Sequence, residues 1–313
     1  MKKENHLRCK LLLWIIIFIA AFSLIIVFSK SFQPATATKN VALIHIDGTI
    51  LTSPVESFLP YSATYSEDII KFIEDAMKNK NIKAIIFEIN SPGGSAVASS
   101  EIAEAIKKAK EEKLTVALIR EQGTSGAYWI ASSCDYIVAH PLSVTGSIGV
   151  LASYLEISGL LERFNITYVN LTAGKHKDIM SPYRELTEEE REMIQNKIDL
   201  IHEAFIDEVV KNRKLNDNQA KEIADGMFYL GSEAKDLGLI DELGTKENAI
   251  KYIEKKLSIK ASIKEYKKEK SLFDVLSKIQ AQASFWIGRG IGASLIDKNF
   301  LSLNKLNIVA YSF

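Results

Sequence analysis

The feature that most constrains the fold is a series of short apolar runs that alternate with helical patterns. Three of these runs are rich in β-branched residues: "VALIHI" from Val41, "IKAIIFEIN" from Ile82 and "LTVALI" from Leu114. Such runs are typical of strands that are buried on both faces of a parallel sheet. Helical spacing follows the second run from about Ala96, and another helical pattern follows the third. The alternation predicts an α/β layered domain with a largely parallel sheet.

Later segments extend this pattern and then replace it with helices. "DYIVAH" from Asp135 and "ITYVNL" from Ile166 are predicted to be further strands. After them the chain becomes helical and charged. Thr187 and Glu190 have the spacing of a capping box, which predicts a long helix ending near Asn212. The second half of the chain is therefore expected to be mainly helical.

One segment near the N-terminus is suited to a membrane. Residues 11–28 read "LLLWIIIFIAAFSLIIVF", 18 residues without a charge, close to the roughly 20 that span a bilayer. Basic residues precede it, which favours a cytoplasmic N-terminus and an extracytoplasmic main domain. The alternative is a signal peptide cleaved at "ATA", residues 35–37. The anchor is favoured because signal-peptide apolar cores are usually about 7–15 residues long.

These patterns divide the chain into five parts. Residues 1–10 are predicted to be cytoplasmic, 11–28 a transmembrane signal-anchor, 29–40 a linker, 41–257 the α/β domain and 258–313 a C-terminal segment. The stretch from Lys260 to Lys270 is rich in lysine and is interpreted as a solvated face or linker. Apolar residues after it suggest a packing or assembly segment.

Composition excludes several classes of function. The chain has 39 basic and 39 acidic side chains, so it lacks the basic excess of a nucleic-acid-binding protein. Cys9 and Cys134 are too few for a disulfide framework. No group of cysteine, histidine and carboxylate residues has the spacing of a metal site. No metal and no cofactor are therefore predicted.

The first candidate for chemistry is "NSPGGS", residues 90–95, where a strand passes into a helix. Gly93 and Gly94 leave backbone N–H groups without side-chain cover. Amides at a helix N-terminus can hold an oxyanion. The alternative is an ordinary turn with two permissive glycines.

Two serines are also candidates. Ser125, in "EQGTSGAYWIASS", is either a nucleophile or a helix N-cap. The N–H of Gly126 can face the same space as the glycine turn, because successive strand ends open onto one sheet edge. Ser147, in "VTGSIGV", is a nucleophile, a hydrogen-bond partner or part of a turn.

The base that a serine nucleophile needs could lie in "TAGKHKDIMSP", residues 172–182. His176 would suit a Ser–His pair. Lys175 and Lys177 are alternatives, because burial can lower the pKa of a lysine from about 10.4 towards 7–8. All three could equally be surface residues, and the local pattern leaves the choice open.

Taken together, these segments resemble the signal peptide peptidase A family in its short, membrane-anchored bacterial form. The resemblance extends from about Val41 to Gly244 and rests on "NSPGG", "SGAYWIA", "TGSIGV", "HKDIMSP" and "GSEAKDLGLIDELG". It implies a ClpP/crotonase-like fold and a Ser/Lys peptidase that degrades cleaved signal peptides at the membrane. It also implies assembly into a ring, in which short forms build each dyad from two neighbouring subunits.

The same resemblance implies a role for each candidate residue. Ser125 corresponds to the nucleophile, Lys177 to the general base, and Ser147 to a hydroxyl that orients the lysine amine. The implied oxyanion hole consists of the backbone N–H groups of Gly93, Gly94 and Gly126. One departure affects the substrate pocket: the family commonly has "AASGG" around the serine, where this chain has "GTSGA".

Two other functions are compatible with parts of the pattern. A crotonase-like acyl-CoA enzyme also uses a glycine-turn oxyanion hole, but it would not need both Ser125 and Lys177. A catalytically silent membrane scaffold would need neither residue. The Ser/Lys peptidase is the function that the sequence favours.

Overall fold

The fold is a mixed α/β layered domain built on one largely parallel sheet. A computed structural model describes residues 38–54 and 62–267, together with residues 284, 286, 287 and 289. The strands are β1 Val41–Leu51, β2 Ala63–Tyr65, β3 Ala84–Gly94, β4 Leu114–Thr124, β5 Tyr136–Ala139, β6 Val144–Gly146, β7 Phe228–Leu230, β8 Glu242–Leu243 and β9 Ile263–Tyr266.

Six of these strands lie side by side in the order β2-β1-β3-β4-β5-β8, while β6 joins β4 to β7 and β9 pairs with β1. Among the described strands, every pairing is parallel except that of β6 with β7. This arrangement confirms the largely parallel sheet predicted from the alternating pattern.

Helices cover both faces of the sheet. They are α1 Ser66–Lys78, α2 Ala96–Lys110, α3 Gly126–Ser132, α4 Ser158–Arg163, α5 Glu188–Arg213, α6 Asp217–Ile223, α7 Gly231–Asp236 and α8 Lys246–Leu257. The predicted capping box is confirmed at the start of α5. The Glu190 N–H donates to Thr187 Oγ1 at 3.2 Å, and the Thr187 N–H donates to Glu190 Oε2 at 3.1 Å.

The first halves of the central strands are largely apolar because each of their faces meets a different core. Alternate residues of a strand point to opposite faces. Ile44 and Phe87 lie in the larger core, under α1, α2 and α3. Leu43 and Ile86 lie in a smaller core, which Ile253 of α8 helps to close. Burial on both sides explains why these segments do not alternate between apolar and polar residues.

The sheet brings two loops to one edge. β3 ends at Gly94 and β4 at Thr124, and after a register shift between Ile89 and Ser91 the two strands pair again with Ser91 opposite Gly123. Helices α2 and α3 start within two residues of these strand ends. In a parallel sheet this is the edge where ligands bind, and it places the glycine turn beside Ser125.

Two predictions about secondary structure were wrong. Residues 166–171 form no strand, and Val169 and Leu171 are 74% and 94% exposed. β-branched composition favours a strand only where a neighbouring strand and a packed face are present, and no described strand pairs with this segment. The stretch from Lys260 to Lys270, interpreted as a solvated face or linker, contains β9.

The compact unit also extends beyond the boundary predicted at residue 257. β9 pairs with β1 in parallel, with Val41 opposite Ile263 and Ile44 opposite Tyr266. The first compact unit of the chain therefore ends at Tyr266. In the second unit, residues 284, 286, 287 and 289 are helical.

The predicted transmembrane anchor, residues 11–28, lies outside the described residues. Among the helices that the structure does describe, none is both long and apolar enough to cross a bilayer.

Candidate active site

Ser125 lies on a strained turn between β4 and α3. Its backbone has φ 54° and ψ −127°, a conformation that few residues other than glycine adopt. By position it is the N-cap of α3, yet its side chain makes no capping hydrogen bond. An N-cap serine normally accepts a bond from the second or third helical amide. The N-cap interpretation therefore does not account for this hydroxyl.

Backbone hydrogen bonds hold the turn in place. The Ser125 N–H donates to the Gly146 carbonyl oxygen at 2.8 Å, and the Ser125 carbonyl accepts from the amides of Tyr128 and Trp129 at 2.8 and 3.0 Å. Sharp strand-to-helix turns of this kind are known to present a nucleophile to a substrate. The half-buried Ser125 side chain has the placement that this role requires.

The glycine turn contacts the serine turn without any intervening side chain. A methyl group added at Gly93 would lie 2.8 Å from the Gly126 nitrogen and 3.0 Å from Ser125 Cβ. A methyl group at Gly126 would collide with Ser99 Oγ and lie 3.4 Å from the Gly94 nitrogen. The close approach of the two turns therefore requires glycine at position 93, whereas at position 126 the obstruction is the Ser99 side chain of α2. As the first residue of α3, Gly126 has an N–H without a partner inside the helix.

The amide of Gly93 differs from the prediction for the oxyanion hole. Its N–H donates to Ser91 Oγ at 3.0 Å, and Ser91 Oγ in turn donates to the Gly48 carbonyl at 2.6 Å. A donor that is already engaged is less able to bind a further oxygen. Gly93 therefore differs from Gly94 and Gly126. Its amide is already hydrogen-bonded to Ser91, and its lack of a side chain allows the two turns to approach each other.

Ser125 opens into a cavity of about 730 Å³. Gly94, Gly126 and Ser147 line the same cavity, so four of the six predicted site residues come together there. Its apolar wall consists of Trp129, Val150, Leu151, Ile201 and Phe205. The Trp129 and Phe205 rings stack with centroids 4.8 Å apart and planes 9° apart, which fixes α5 against α3.

Ser147 is held by the backbone of the loop before β7. It has φ 52°, its N–H donates to the Met227 carbonyl at 2.9 Å, and its hydroxyl donates to the Gly226 carbonyl at 3.1 Å. A hydroxyl that donates its only proton still has lone pairs to accept one. Ser147 therefore presents an acceptor in the cavity that contains Ser125.

Lys177 is placed apart from this cavity. It lies in a series of turns after the exposed segment, its side chain is exposed, and it is not among the cavity-lining residues. Within the described part of the chain, its ammonium makes no hydrogen bond or ion pair. A single chain therefore does not bring Ser125 and Lys177 into one cavity.

The two other candidate bases are also outside the cavity. Lys175 is exposed and pairs with both oxygens of Glu189 at 2.6 and 2.8 Å. That contact lowers the pKa of the Glu189 carboxyl. His176 is half-buried, and its Nδ1 atom has no hydrogen-bond partner among the described residues. Neither residue lines the cavity around Ser125.

The turn that carries Lys177 is joined to α5 by Arg184. The Arg184 guanidinium donates to both oxygens of Asp178, each at 2.9 Å, and to both oxygens of Glu190 at 2.8 and 2.7 Å. These contacts lower the pKa values of the Asp178 and Glu190 carboxyls to about 2. Both carboxylates are therefore ionised at neutral pH and bound to the same arginine.

The sequence motifs did not reveal the α5 wall or Arg184. Ile201 and Phe205 reach the cavity from a charged helix some 75–80 positions after Ser125, with no local motif to mark them. Arg184 could have been noticed only as one basic residue between Asp178 and Glu190. Both features depend on tertiary packing that spacing alone does not show.

Comparisons with known proteins identify the family of the chain. The profile of Peptidase family S49 matches residues 107–260. A putative protease of Methanocaldococcus jannaschii is 36% identical over 229 residues, 72% of each chain. A putative signal peptide peptidase SppA of Enterococcus faecium is 30% identical over 285 residues, 88% of this chain and 80% of the relative. A chloroplastic serine protease SPPA of Arabidopsis thaliana is 30% identical over 263 residues, 82% of this chain and 37% of the relative.

The comparisons cover residues 107–260 in the family profile, a range that includes Ser125, Ser147 and Lys177. They favour a hydrolase over the acyl-CoA enzyme and the silent scaffold. The chain therefore belongs to peptidase family S49, among the signal peptide peptidase A proteins, and is a serine peptidase.

Proposed function

We propose that this peptidase is a membrane-anchored endopeptidase in which Ser125 is the nucleophile and Lys177 the general base. The observation that carries the proposal is the strained Ser125 backbone. Its hydroxyl makes no capping bond, and it opens into a cavity beside two glycine amides. Such strain persists only where the surroundings impose it and is concentrated at functional sites.

The mechanism follows from these groups. The neutral amine of Lys177 takes the Ser125 proton while the serine oxygen attacks a peptide carbonyl carbon. The carbonyl oxygen becomes an oxyanion and accepts hydrogen bonds from backbone amides. The protonated lysine then gives its proton to the leaving amine, which leaves an acyl-enzyme on Ser125. Water, deprotonated by the same lysine, hydrolyses the ester.

Gly94 and Gly126 are the proposed oxyanion donors. Both line the cavity with Ser125, and Gly126 begins α3, where the helix dipole favours a negative charge. Gly93 is assigned a different part from the one the resemblance implied, because its amide is bound to Ser91 Oγ. It acts by letting the two turns approach. Ser147 is proposed to accept a hydrogen bond from the lysine amine and so to orient it.

We further propose that Lys177 reaches the serine of a neighbouring subunit. A lysine ammonium in water holds its proton at neutral pH, and desolvation favours its release. Lys177 is exposed in the single chain. The segment before it exposes a series of apolar side chains, Leu151, Leu155, Phe164, Val169 and Leu171, which is typical of an interaction surface. Assembly would cover both this segment and the lysine.

The substrate is proposed to be an extended apolar peptide, such as a cleaved signal peptide. Trp129, Ile201 and Phe205 give the cavity an apolar wall, which suits apolar side chains. Residues 11–28 have the composition of a signal-anchor. An anchor there would hold the site outside the cytoplasm and close to peptides left in the membrane.

Cleavage of a synthetic signal peptide by the full chain in detergent tests the proposed dyad. We expect Ser125→Ala and Lys177→Ala to lose cleavage by a factor of about 10³ or more. Lys175→Ala is the matched control, because this lysine lies two positions away and is paired with Glu189. It should keep most of the activity. Wild-type cleavage by Lys177→Ala would rule out the proposed base.

Mixed assembly tests whether two subunits share each dyad. Ser125→Ala and Lys177→Ala chains, each inactive alone, are coexpressed. If neighbouring subunits share each dyad, a closed ring assembled at random from equal amounts of the two chains should have about one quarter of its dyads intact. A mixture with no more activity than either variant alone would show that each dyad forms within one chain.

A further inference from the structure

We propose that Arg184 is a positioning residue for the dyad, which acts by occupying the carboxylates of Asp178 and Glu190 so that neither can pair with the amine of Lys177. The proposal rests on the proposed role of Lys177 as general base. It assigns a function to an arginine that touches neither Ser125 nor the cavity around it.

The geometry at Arg184 uses the whole guanidinium group. Nε and Nη2 bind Asp178 as a two-pronged contact, while Nη1 and Nη2 bind Glu190 in the same manner. Nη1 also donates to the Glu185 carbonyl oxygen at 3.0 Å. Two-pronged contacts with carboxylates are among the strongest and most directional hydrogen bonds in proteins. A lysine at this position could not reproduce both pairs.

Asp178 is the carboxylate best placed to pair with the amine of the proposed base, because it is the next residue after Lys177. Its carboxylate is also bound by the Asn170 side-chain amide at 3.0 Å. Its side chain is 21% exposed, and that of Glu190 only 7%. Contacts with this little exposure are less weakened by solvent than those on an open surface. In the wild-type chain Asp178 is therefore fully occupied by Arg184 and Asn170.

Two other carboxylates near the lysine turn are also paired with basic side chains. Glu189, in the first turn of α5, is held by Lys175 at 2.6 Å. Its neighbour Glu188 lies 3.6 Å from Arg191. Other titratable side chains near the turn include those of His176, Glu185 and Tyr183, the last of which packs against Tyr168, and none of these is paired with Lys177 in the described structure.

Arg184 also determines where the lysine turn sits. Glu190 is fixed by the capping box of α5, in which it accepts the Thr187 N–H at 3.1 Å. By binding Glu190 and Asp178 together, Arg184 connects the lysine turn to the start of a 26-residue helix. The middle of this helix supplies Phe205 to the cavity wall. One contact thus sets both the position and the electrostatic surroundings of the proposed base.

Removal of the arginine charge should shift the pH dependence of catalysis. In Arg184→Gln the Asp178 carboxylate is released beside Lys177. An anion within about 4–6 Å favours the protonated amine, which cannot act as a base. The midpoint of kcat/KM on the acidic limb should therefore move to higher pH by about one unit. A purely structural defect would lower the plateau without moving the midpoint.

The experiment measures kcat/KM against pH for the full chain in detergent with an apolar peptide substrate. The double variant Arg184→Gln/Asp178→Asn removes the released anion, and we expect its midpoint to return towards the wild-type value. Arg213→Gln is the matched control. Arg213 binds Asp241 through two contacts, at 3.0 and 2.8 Å, near the other end of α5. This control should lose stability and keep the midpoint.

The outcomes separate this proposal from the function on which it rests. If Lys177→Ala is fully active, the lysine is not the base and both proposals fail. If Lys177→Ala is inactive while Arg184→Gln has the wild-type midpoint of kcat/KM against pH, Lys177 remains the proposed base and the role of Arg184 is overturned. If Arg184→Gln does not fold, the same pH midpoint is measured in Arg184→Lys. We expect its midpoint to rise by a smaller amount, and an unchanged midpoint would overturn the proposal equally.

Discussion

Ser125 has a backbone conformation that a serine adopts only under constraint from its surroundings. Strain of this kind costs about 1–3 kcal/mol, and the bonds to Gly146, Tyr128 and Trp129 maintain it. The sequence left two interpretations of this residue, nucleophile or N-cap. The Ser125 side chain makes no capping bond, so the N-cap interpretation gives this hydroxyl no stabilising role.

Relief of the strain should stabilise the protein at the expense of activity. Glycine adopts positive φ without steric cost, so Ser125→Gly should unfold at a higher urea concentration than Ser125→Ala. We expect a difference of about 1 kcal/mol in the free energy of unfolding, with both variants inactive. Equal stability of the two variants would argue that the turn is not strained.

Gly126 has no room for a side chain, and this predicts the effect of replacing it. Its Cα faces Ser99 Oγ, a buried hydroxyl with no hydrogen-bond partner among the described residues. Gly126→Ala should cost about 1–3 kcal/mol of stability through overpacking and reduce kcat by about 10²-fold by displacing an oxyanion donor. Ser99→Ala in the same chain removes the obstructing oxygen. We expect the double variant to regain stability, as measured by urea unfolding; no recovery would show that Ser99 is not the obstruction.

Helix α5 connects the turn that carries Lys177 with the cavity around Ser125. Its first turn receives Arg184 through Glu190, and its middle supplies Ile201 and Phe205 to the cavity wall. The capping box predicted the start of this helix correctly, because the signal lies within four adjacent residues. The contacts that α5 makes with the cavity were not predictable, since they depend on how a distant helix packs against α3.

The contacts at the start of α5 predict a loss of stability in acid. The pKa values of Asp178 and Glu190 are lowered to about 2 in the folded chain, from ordinary values of 3.8 and 4.5. A lowered folded pKa stabilises the native state above the ordinary value, and this stabilisation disappears as the pH falls towards 2. Urea midpoints should decline between about pH 4.5 and 2, and less steeply in Arg184→Gln. Parallel declines in the two chains would contradict this assignment.

Strand β9 carries a prediction about the end of the domain. A chain truncated after residue 257 loses the pairing of β9 with β1 and the apolar contacts of Ile259 and Ile263 with the smaller core. A chain truncated after Lys267 keeps them. We expect the shorter chain to have the lower melting temperature. Equal melting temperatures would show that β9 does not belong to the cooperative unit.

The elements that sequence predicted well are those whose signals are local. Buried strands such as β3 and β4 show as β-branched runs, and their order follows from the alternation with helices. β9 was missed because the five lysines at positions 260, 264, 267, 268 and 270 obscured its single buried residue, Tyr266. Residues 166–171 were wrongly assigned to a strand because composition does not reveal whether a partner strand is present.

At the scale of the whole molecule, the exposed apolar segment before Lys177 is the feature that one chain leaves unexplained. Leu171→Glu, at a position that is 94% exposed, should leave the fold of one chain intact. If the segment is an interface between subunits, this change should reduce the measured mass of the assembly and the activity together. Leu142→Glu, 71% exposed and outside the segment, is the matched control. Light scattering after size-exclusion chromatography measures the mass, and an unchanged mass in Leu171→Glu would contradict the interface.

The site as a whole was predictable only in part. Ser125, Gly94 and Gly126 meet in one cavity, as expected from strand ends that open onto the same edge of the sheet, and Ser147, which only the family resemblance had placed near the site, lines the same cavity. Lys177 follows no strand of this sheet, and its place near a serine cannot be derived from spacing or from a single chain. Family resemblance points to it, and the occupied acids around it are consistent with a lysine that must lose its proton.

Residue-resolved labelling of the full chain with a fluorophosphonate tests the Ser125–Lys177 dyad most directly. The reagent reacts only with an activated serine, and mass spectrometry of the digested protein locates the adduct. We expect an adduct on Ser125 of the wild type that forms faster as the pH rises, and at least 100-fold slower labelling in Lys177→Ala. An adduct on another serine, or wild-type labelling of Ser125 in Lys177→Ala, would contradict the dyad.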